Sequence, residues 1–398
     1  MALMEDVVIV SAVRTPIAKF QGSLSDFTAP QLGSLVVREA VKRAGVEASW
    51  VSECIMGNVV AAGLGQNPAR QAALGGGLSP AVAAMTVNKV CGSGLKAVAL
   101  GEQAIQTGNS DIVVAGGMES MTNAPYLLPN ARKGYRLGDG KLIDSMVHDG
   151  LWDIYNDYHM GNTGENVAEK YGINREEQDQ YAVNSHRKAV SAIKECRFKE
   201  QIVPVELPSK KKGTPPQFFT IDESPREDTS VEALRALKPA FKKDGTVTAG
   251  NAPGVNDGAA AVVLMTLEEA RRRGIAPLAR IVSWAHAGVD PSIMGTGPIP
   301  ASKKALEKAG WTVKDLDLIE ANEAFAAQAC AVNKGLGWDT EKVNVNGGAI
   351  AIGHPIGASG ARVLNTLLFE MQRRNARKGL ATLCIGGGMG VAMCVERD

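Results

Sequence analysis

Asn88-Lys89-Val90-Cys91-Gly92-Ser93-Gly94-Leu95-Lys96-Ala97-Val98-Ala99 is the stretch from which the fold can be read. A short mixed run reaches a cysteine, meets two glycines and continues with apolar residues at helical spacing, Leu95, Val98 and Ala99 falling at i, i+3 and i+4. The reading is strand, tight turn, helix, with Cys91 at or just before the helix N-terminus. Free backbone N–H groups and the positive end of the helix dipole are expected to face its sulfur there and to lower the thiol pKa. Gly92 and Gly94 are expected to let the backbone turn sharply and another group come close. The competing reading is a buried cysteine that fills a small hole.

Outward from this turn the same alternation continues. Val7-Val8-Ile9-Val10-Ser11-Ala12 is a near-continuous apolar run, a buried strand. Pro30 to Gly45 carries helical spacing at Leu32, Leu35, Val36 and Val41 and stops at a glycine. Strands are expected at 54–60 and 111–119, and a helix from Pro68 to Leu74. Strands alternating with helices mean βαβ units and a sheet that is at least partly parallel. From Thr122 to about Thr248 the texture changes: Asn, Gly, Pro and charged residues become common and apolar runs shorten. Helices are expected there at Thr163–Tyr171 and Arg175–Cys196. Ser209 to Pro216, with Lys210-Lys211-Lys212, reads as a solvated basic loop. This segment is expected to be an insertion or lid on a sheet core.

The α/β pattern then repeats. Ile281-Val282-Ser283-Trp284-Ala285 echoes Ile9-Val10-Ser11-Ala12. Asp317-Leu318-Ile319-Glu320-Ala321-Asn322 echoes Glu53-Cys54-Ile55-Met56-Gly57-Asn58. Leu383-Cys384-Ile385-Gly386-Gly387-Gly388-Met389 echoes Val113-Val114-Ala115-Gly116-Gly117-Met118. Three echoes in one order at similar offset indicate a duplicated domain. The expected α/β architecture is two similar halves with the polar region inserted between them and a small-molecule pocket at their junction.

Composition narrows the function. At 398 residues the chain holds more than one domain. With 43 basic and 42 acidic side chains the net charge is +1, which points away from nucleic acid and acidic membrane surfaces. Six scattered cysteines form no C-x-x-C pair, and five histidines show no ligand spacing, so free thiols and no metal are expected. No apolar run approaches the ~18 residues that span a bilayer. The N-terminus enters a strand almost at once and the C-terminus, Glu396-Arg397-Asp398, is not the peroxisomal address. The cytosol is the expected compartment.

Three more stretches carry chemistry. Asn322-Glu323-Ala324-Phe325-Ala326 follows a strand and opens a helix; Asn322 is an N-cap by default, or an amide that orients a water or an oxyanion. Asn346 to Gly360 is glycine-dense around one histidine, His354, which is either a core histidine or a base kept neutral near a helix N-terminus. A helix is expected over Ala361–Met371. Cys384-Ile385-Gly386-Gly387-Gly388-Met389-Gly390 follows an apolar strand. It is no dinucleotide or phosphate-loop fingerprint, but its successive N–H groups can hold an oxyanion. Two cysteines, a histidine and an asparagine on glycine-shaped turns suggest covalent thiol catalysis with proton transfer. A Cys/His/Asn protease carries the same residue types but needs neither the second cysteine nor so many glycines.

In these motifs, taken in order, the chain resembles the thiolase family, and the resemblance covers nearly its whole length. It implies two thiolase-type βαβαβαββ halves in a layered α/β/α/β/α core: 1–121 as the first half, completed by about 249–272, 122–248 as a loop domain, and 273–398 as the second half. It implies reversible Claisen condensation of two acetyl-CoA to acetoacetyl-CoA and CoA, a first step towards mevalonate and sterols. Cys91 would be the nucleophile, His354 its base, and Cys384 the acid and base at the α-carbon. His354 and a water on Asn322 would hold the enolate, and the N–H groups of Cys91 and Gly386 the tetrahedral oxyanion. CoA, a substrate and not a resident cofactor, would meet His159 and Met160 near the acyl end, Phe241, Ala249 and Phe325 along the pantetheine, and Arg226 near the adenine. The family often has a pantetheine-binding serine where this chain has Pro253, which offers neither hydroxyl nor N–H. Residues 123–144 resemble a tetramerisation loop, which implies a homotetramer, a dimer of dimers. Some members respond to potassium ions; no residue pattern decides that here. The rival readings are a degradative 3-ketoacyl-CoA thiolase and a catalytically silent CoA-binding protein on the same fold.

Overall fold

The computed structural model describes residues 5–209, 213 and 215–398. Met1–Met4 and, in the basic loop, Lys210–Lys212 and Thr214 lie outside the described residues, and with them the readings made there. The first half-sheet contains β1 (Val7–Arg14), β2 (Glu53–Gly57), β3 (Ala83–Val87), β4 (Ile112–Ser120) and β5 (Asn256–Thr266). The second contains β6 (Ala279–Gly288), β7 (Leu318–Ala321), β8 (Lys378–Ile385) and β9 (Met389–Glu396). Their order is β7-β8-β9-β6-β1-β5-β4-β2-β3. The halves join where β1 meets β6 through the pairs Val8–Arg280 and Ile9–Ala279.

Outward from that seam the two halves match. β1, β5, β4 and β2 run antiparallel, antiparallel, parallel, and β6, β9, β8 and β7 do the same. Both seam strands carry a register shift at the echoed sequence, between Ile9 and Ser11 and between Ile281 and Ser283. A bulge is a built feature of a strand, so its repetition confirms the internal duplication.

The helices that bear on function are α1 (Ala29–Ala44), α2 (Pro68–Gly75), α3 (Ser93–Gln106), α4 (Met160–Tyr171), α5 (Arg175–Lys194), α6 (Pro298–Ala309), α7 (Ala326–Leu336), α8 (Ala349–Ile352) and α9 (Ser359–Arg374). α1 opens with a Thr28–Gln31 capping box and ends at Gly45, the stop expected from sequence. Strand β4 is buried on both faces. Ile112, Val114 and Met118 enter the cluster under α1 and α2, while Val113 and Ala115 enter a central cluster with Leu95 and Val98 of α3 and Leu364 and Leu367 of α9. Ala381, Leu383 and Met393 of the second half-sheet reach the same cluster, and Leu380 and Ala392 face the other way towards Ala301 and Ala305 of α6. The layers are therefore helix, sheet, helix, sheet, helix.

The central layer is tight where it matters. α3 and α9 begin with the same pair, Ser93-Gly94 and Ser359-Gly360. A Cβ on Gly94 would meet the Ala361 nitrogen at 2.7 Å, and one on Gly360 the Leu95 nitrogen at 2.2 Å. The two helix starts touch backbone to backbone. Within 122–248, α4 packs on the segment Pro291–Thr296 and on α7, and α5 packs on α7 and α8, which brings the polar region over the second half. α5 ends earlier than expected, at Lys194, because Cys196 turns to φ +57.

Candidate active site

Cys91 sits as expected one residue before the N-cap of α3, Gly92. The turn is made differently from the sequence reading. Gly92 has φ −85, and the left-handed residue is Val90, at φ +46. A β-branched residue there is a strained outlier. Ser93 holds it: its Oγ donates to Val90 O at 2.6 Å and accepts from Lys89 N at 2.8 Å. Gly92 serves close approach instead, since a Cβ would meet the Ile385 side chain at 2.4 Å.

The expected depression of the Cys91 pKa is not found. The sulfur is buried, and burial pushes the thiol up to about 11, against the pull of the Gly386 N–H and its own N–H and with a further push from Glu119. Desolvation disfavours the thiolate more than two donors favour it. Cys384, at the end of β8, is fully buried among Val247, Met294, Ala324 and Phe325. Burial and the neighbouring Cys91 push it well above its usual value. Both sulfurs rest as thiols.

His354 lies five residues before the start of α9, not at the helix N-terminus. Burial, with the Arg362 charge, brings its imidazole down to about 3. Neutrality here comes from desolvation and a cation rather than from a helix dipole. Its Nδ1 is 2.5 Å from Ser359 Oγ, and that hydroxyl donates to Pro355 O at 2.9 Å. With its proton on Pro355 O the hydroxyl accepts from Nδ1–H, an arrangement that leaves the lone pair on Nε2. Asn322 Nδ2 stands 3.5 Å from that Nε2. Asn322 is not an N-cap: α7 starts at Ala326, with Phe325 in the N-cap position and no side-chain cap.

A carboxylate missed from sequence fixes the frame. Glu119 on β4 is fully buried and accepts from Asn58 Nδ2 (2.7 Å), Val59 N (3.0 Å), Val60 N (3.1 Å) and Gly357 N (2.8 Å). Burial pushes it up to about 7 despite these donors. Gly357 belongs to the turn that carries His354, so Glu119 ties that turn to the first half. Asn256 does the same from β5, its Oδ1 accepting the His354 N–H at 2.9 Å.

These groups surround a cavity of about 330 Å³ lined by Cys91, His354, Gly386, His159, Met160, Phe241, Ala249 and Phe325 among others. Eight of the sequence-predicted residues thus meet in one place. His159 caps α4, accepting the Gly161 N–H on Nδ1 at 3.0 Å. Its ring stacks on Phe241 at 4.6 Å, and Phe241 meets Phe325 edge-on at 6.5 Å. Gly161 is required, because a Cβ would lie 2.1 Å from the Phe241 ring. Pro253 lines the same cavity. Asn322 and Cys384 back the lining rather than form it. Arg226 lies elsewhere, in a surface pocket with Arg187, Lys194 and Thr229, its N–H donating to His186 Nδ1. Among the described residues no group of three or more His, Cys, Asp or Glu is placed to hold a metal ion, and no helix is long and apolar enough to cross a membrane.

Comparison with known proteins decides what this arrangement is. The family model described as "Thiolase, N-terminal domain" matches residues 7–268, and "Thiolase, C-terminal domain" matches 275–397. The chain belongs to the thiolase family. Members are enzymes that transfer acyl groups through coenzyme A thioesters, so this thiolase is an acyltransferase with CoA on the substrate side. It is 61% identical over 395 residues to the acetyl-CoA acetyltransferase of Pseudomonas aeruginosa, covering 99% of this chain and 100% of that one. It is 62% identical over 394 residues to that of Cupriavidus necator, with the same coverage. The crystal structure of the Bacillus anthracis acetyl-CoA acetyltransferase superposes with a TM-score of 0.97 at 48% identity over all of both chains. Sequence reading of this thiolase missed the apolar lining, Leu151, Met294 and Ile356. Leu151 and Met294 are lone apolar residues outside every motif, and Ile356 sits in the histidine turn with nothing local to show which way it faces; only the fold gathers them.

Proposed function

We propose that this thiolase is an acetyl-CoA C-acetyltransferase that joins two acetyl-CoA into acetoacetyl-CoA and CoA through an acetyl-Cys91 intermediate. The observation that carries the reading is the placement of a thiol, two N–H donors aimed at its sulfur and a neutral imidazole on one narrow apolar cavity. In the first half-reaction His354 Nε2 takes the Cys91 proton as the sulfur attacks the acetyl carbonyl. The Cys91 and Gly386 N–H groups receive the oxyanion; donors of this kind are worth about 3 kcal/mol. The C–S bond to CoA breaks and the departing thiolate takes its proton from Cys384. In the second half-reaction the Cys384 thiolate removes a proton from the α-carbon of the next acetyl-CoA. His354 and a water on Asn322 hold the enolate oxygen, the carbanion attacks the acetyl carbon, and Cys91 leaves as a thiolate that takes its proton back from His354. A high resting pKa at both sulfurs keeps the free enzyme from spending its nucleophile on stray electrophiles.

The stacked His159 and Phe241 rings with Phe325 support a pantetheine path, and the exposed Arg226 pocket is assigned to the nucleotide end. We assign 122–248 as the loop domain between halves 1–121, completed by 249–272, and 273–398. Tyr126, Leu128, Leu137 and Leu142 stand exposed on it, which supports a homotetramer as a dimer of dimers. Six free thiols support a reducing compartment, the cytosol. Use of the product in mevalonate and sterol synthesis rests on the resemblance alone. A degradative role with longer chains is less favoured, because Met160, Met294 and Phe325 narrow the cavity beside Cys384.

Thiolysis of acetoacetyl-CoA, followed by loss of the 3-ketothioester absorbance, tests the reading. Wild type should be active and Cys91→Ala inactive. Survival of activity in the variant would misplace the nucleophile, and an inert wild type would favour a silent CoA-binding protein.

A further inference from the structure

Arg362 is a buried cation that the reaction above does not use. It projects from α9 at 1% exposure. Its Nε has no partner among the described residues, and its Nη2 donates to Asn322 Oδ1 at 3.2 Å. A guanidinium buried without a full set of acceptors is costly, so its retention asks for a reason.

We infer that Arg362 is a positioning residue that locks the Asn322 amide and, through it, the His354 tautomer that keeps Nε2 unprotonated. The inference rests on the reading of His354 as the base. A guanidinium has only donors, so the amide oxygen must face it. The amide nitrogen is then left towards His354 Nε2, at 3.5 Å, and a donor there requires a lone pair on the ring. The far side of the ring accommodates the same tautomer, since a Ser359 hydroxyl that donates to Pro355 O accepts from Nδ1. One polarity runs along the whole chain: Arg362 to Asn322 to His354 to Ser359 to Pro355. The Asn322 backbone is pinned by its own N–H on Thr382 O at 2.9 Å, so only the amide's rotation is free. Turned over, the amide would place an oxygen against Nε2 and favour a proton there, which removes the base from the cavity.

The positive charge acts in the same direction, since it disfavours imidazolium. The charged groups facing Arg362 are Glu320 from β7, Glu323 from the loop after it, Arg14 from β1 and Asp222 from the inserted region; His354 is faced by Arg362. Glu320, pushed by burial up to about 8, titrates in the working range, so the ring must be read directly.

The test is ¹⁵N-histidine NMR of the holo-length protein, with His354 assigned from His354→Asn, alongside acetoacetyl-CoA thiolysis. The variants are Arg362→Met, Arg362→Lys, Asn322→Ala and the double variant Arg362→Met with Asn322→Ala. Wild type should show Nδ1–H. Arg362→Met should gain the Nε2–H form and lose about 10²-fold in kcat with little change in KM, and Arg362→Lys, which keeps a donor, should recover much of both. The double variant should be no worse than Asn322→Ala, because one effect runs through the other. Unchanged tautomer in Arg362→Met, or losses that multiply in the double variant, would overturn the inference while leaving thiolysis by wild type intact. If Arg362→Met does not fold, Arg362→Gln makes the same comparison. An inactive wild type would instead sink the reading of the site.

Discussion

One methyl group added at Gly94 should cost far more activity than stability. In Gly94→Ala the new Cβ would lie 2.7 Å from the Ala361 nitrogen, 3.2 Å from Gly357 O and 3.3 Å from Ala358 O. All three are backbone atoms, so no side chain can swing aside. Ordinary contact begins near 3.4 Å, and α3 must therefore part from α9 by about 0.7 Å. Overpacking of this size costs about 1–3 kcal/mol. Cys91 rides three residues before Gly94, and His354 rides the turn that leads into α9. A shift of that order between two reacting groups costs about 10²-fold in rate. The assay is kcat for thiolysis beside a chemical-denaturation curve. Gly310→Ala is the control: φ is +68 there, with nothing within 4 Å. It should cost about 1 kcal/mol of backbone strain and leave kcat alone. Wild-type kcat and stability in Gly94→Ala would show that the helices do not meet at these glycines. Equal activity losses in both variants would show general fragility rather than a displaced pair.

Acid should loosen the protein partly through His354. Its folded pKa, about 3, lies below its unfolded value, so the unfolded chain takes the proton first. Stability is complete above pH ~6.5 and falls as pH drops towards 3. Between pH 7 and 5 urea midpoints should show wild type losing about 2 kcal/mol more than His354→Asn. Arg14→Met should destabilise by about 3–5 kcal/mol, because Asp222, fully buried and paired to Arg14 at 2.7 and 2.9 Å, would lose its cation; equilibrium unfolding reads it. Phe241→Ala should raise KM for acetoacetyl-CoA about tenfold with kcat within about threefold, as His159 loses its stacked partner; steady-state kinetics checks the split.

The fold was open to sequence reading because its signals are repeated and local. Ile-Val-Ser recurs at both seam strands, and the apolar runs of β1 and β4 are long enough to exclude surface strands. Cys91, His354, Cys384 and Gly386 could be singled out because glycine-dense turns mark where parts of the chain come unusually close, as Gly94 and Gly360 do between the helix starts. Other features depend on distances that no local pattern encodes. The Cys91 pKa was expected to fall from its helix position, but burial among Val59, Val60 and Ile356 outweighs that. Val90 gives no sign in sequence of a positive φ, since β-branched residues avoid it. Glu119 and Arg362 read as ordinary charged residues until the sheet and α9 bury them. Asn322 looked like a cap because a helix follows, yet the helix begins four residues later.

The seam between the half-sheets has a consequence for any measurement on this protein. Cys91 belongs to one half, and His354, Cys384 and Gly386 to the other, while the strands that join them share two residue pairs. A chain with both halves folded but slightly parted would keep its secondary structure and have no reaction centre. Turnover therefore acts as a gauge of docking: under rising denaturant it should vanish before the circular dichroism signal does, and the interval between the two measures how firmly one half holds the other.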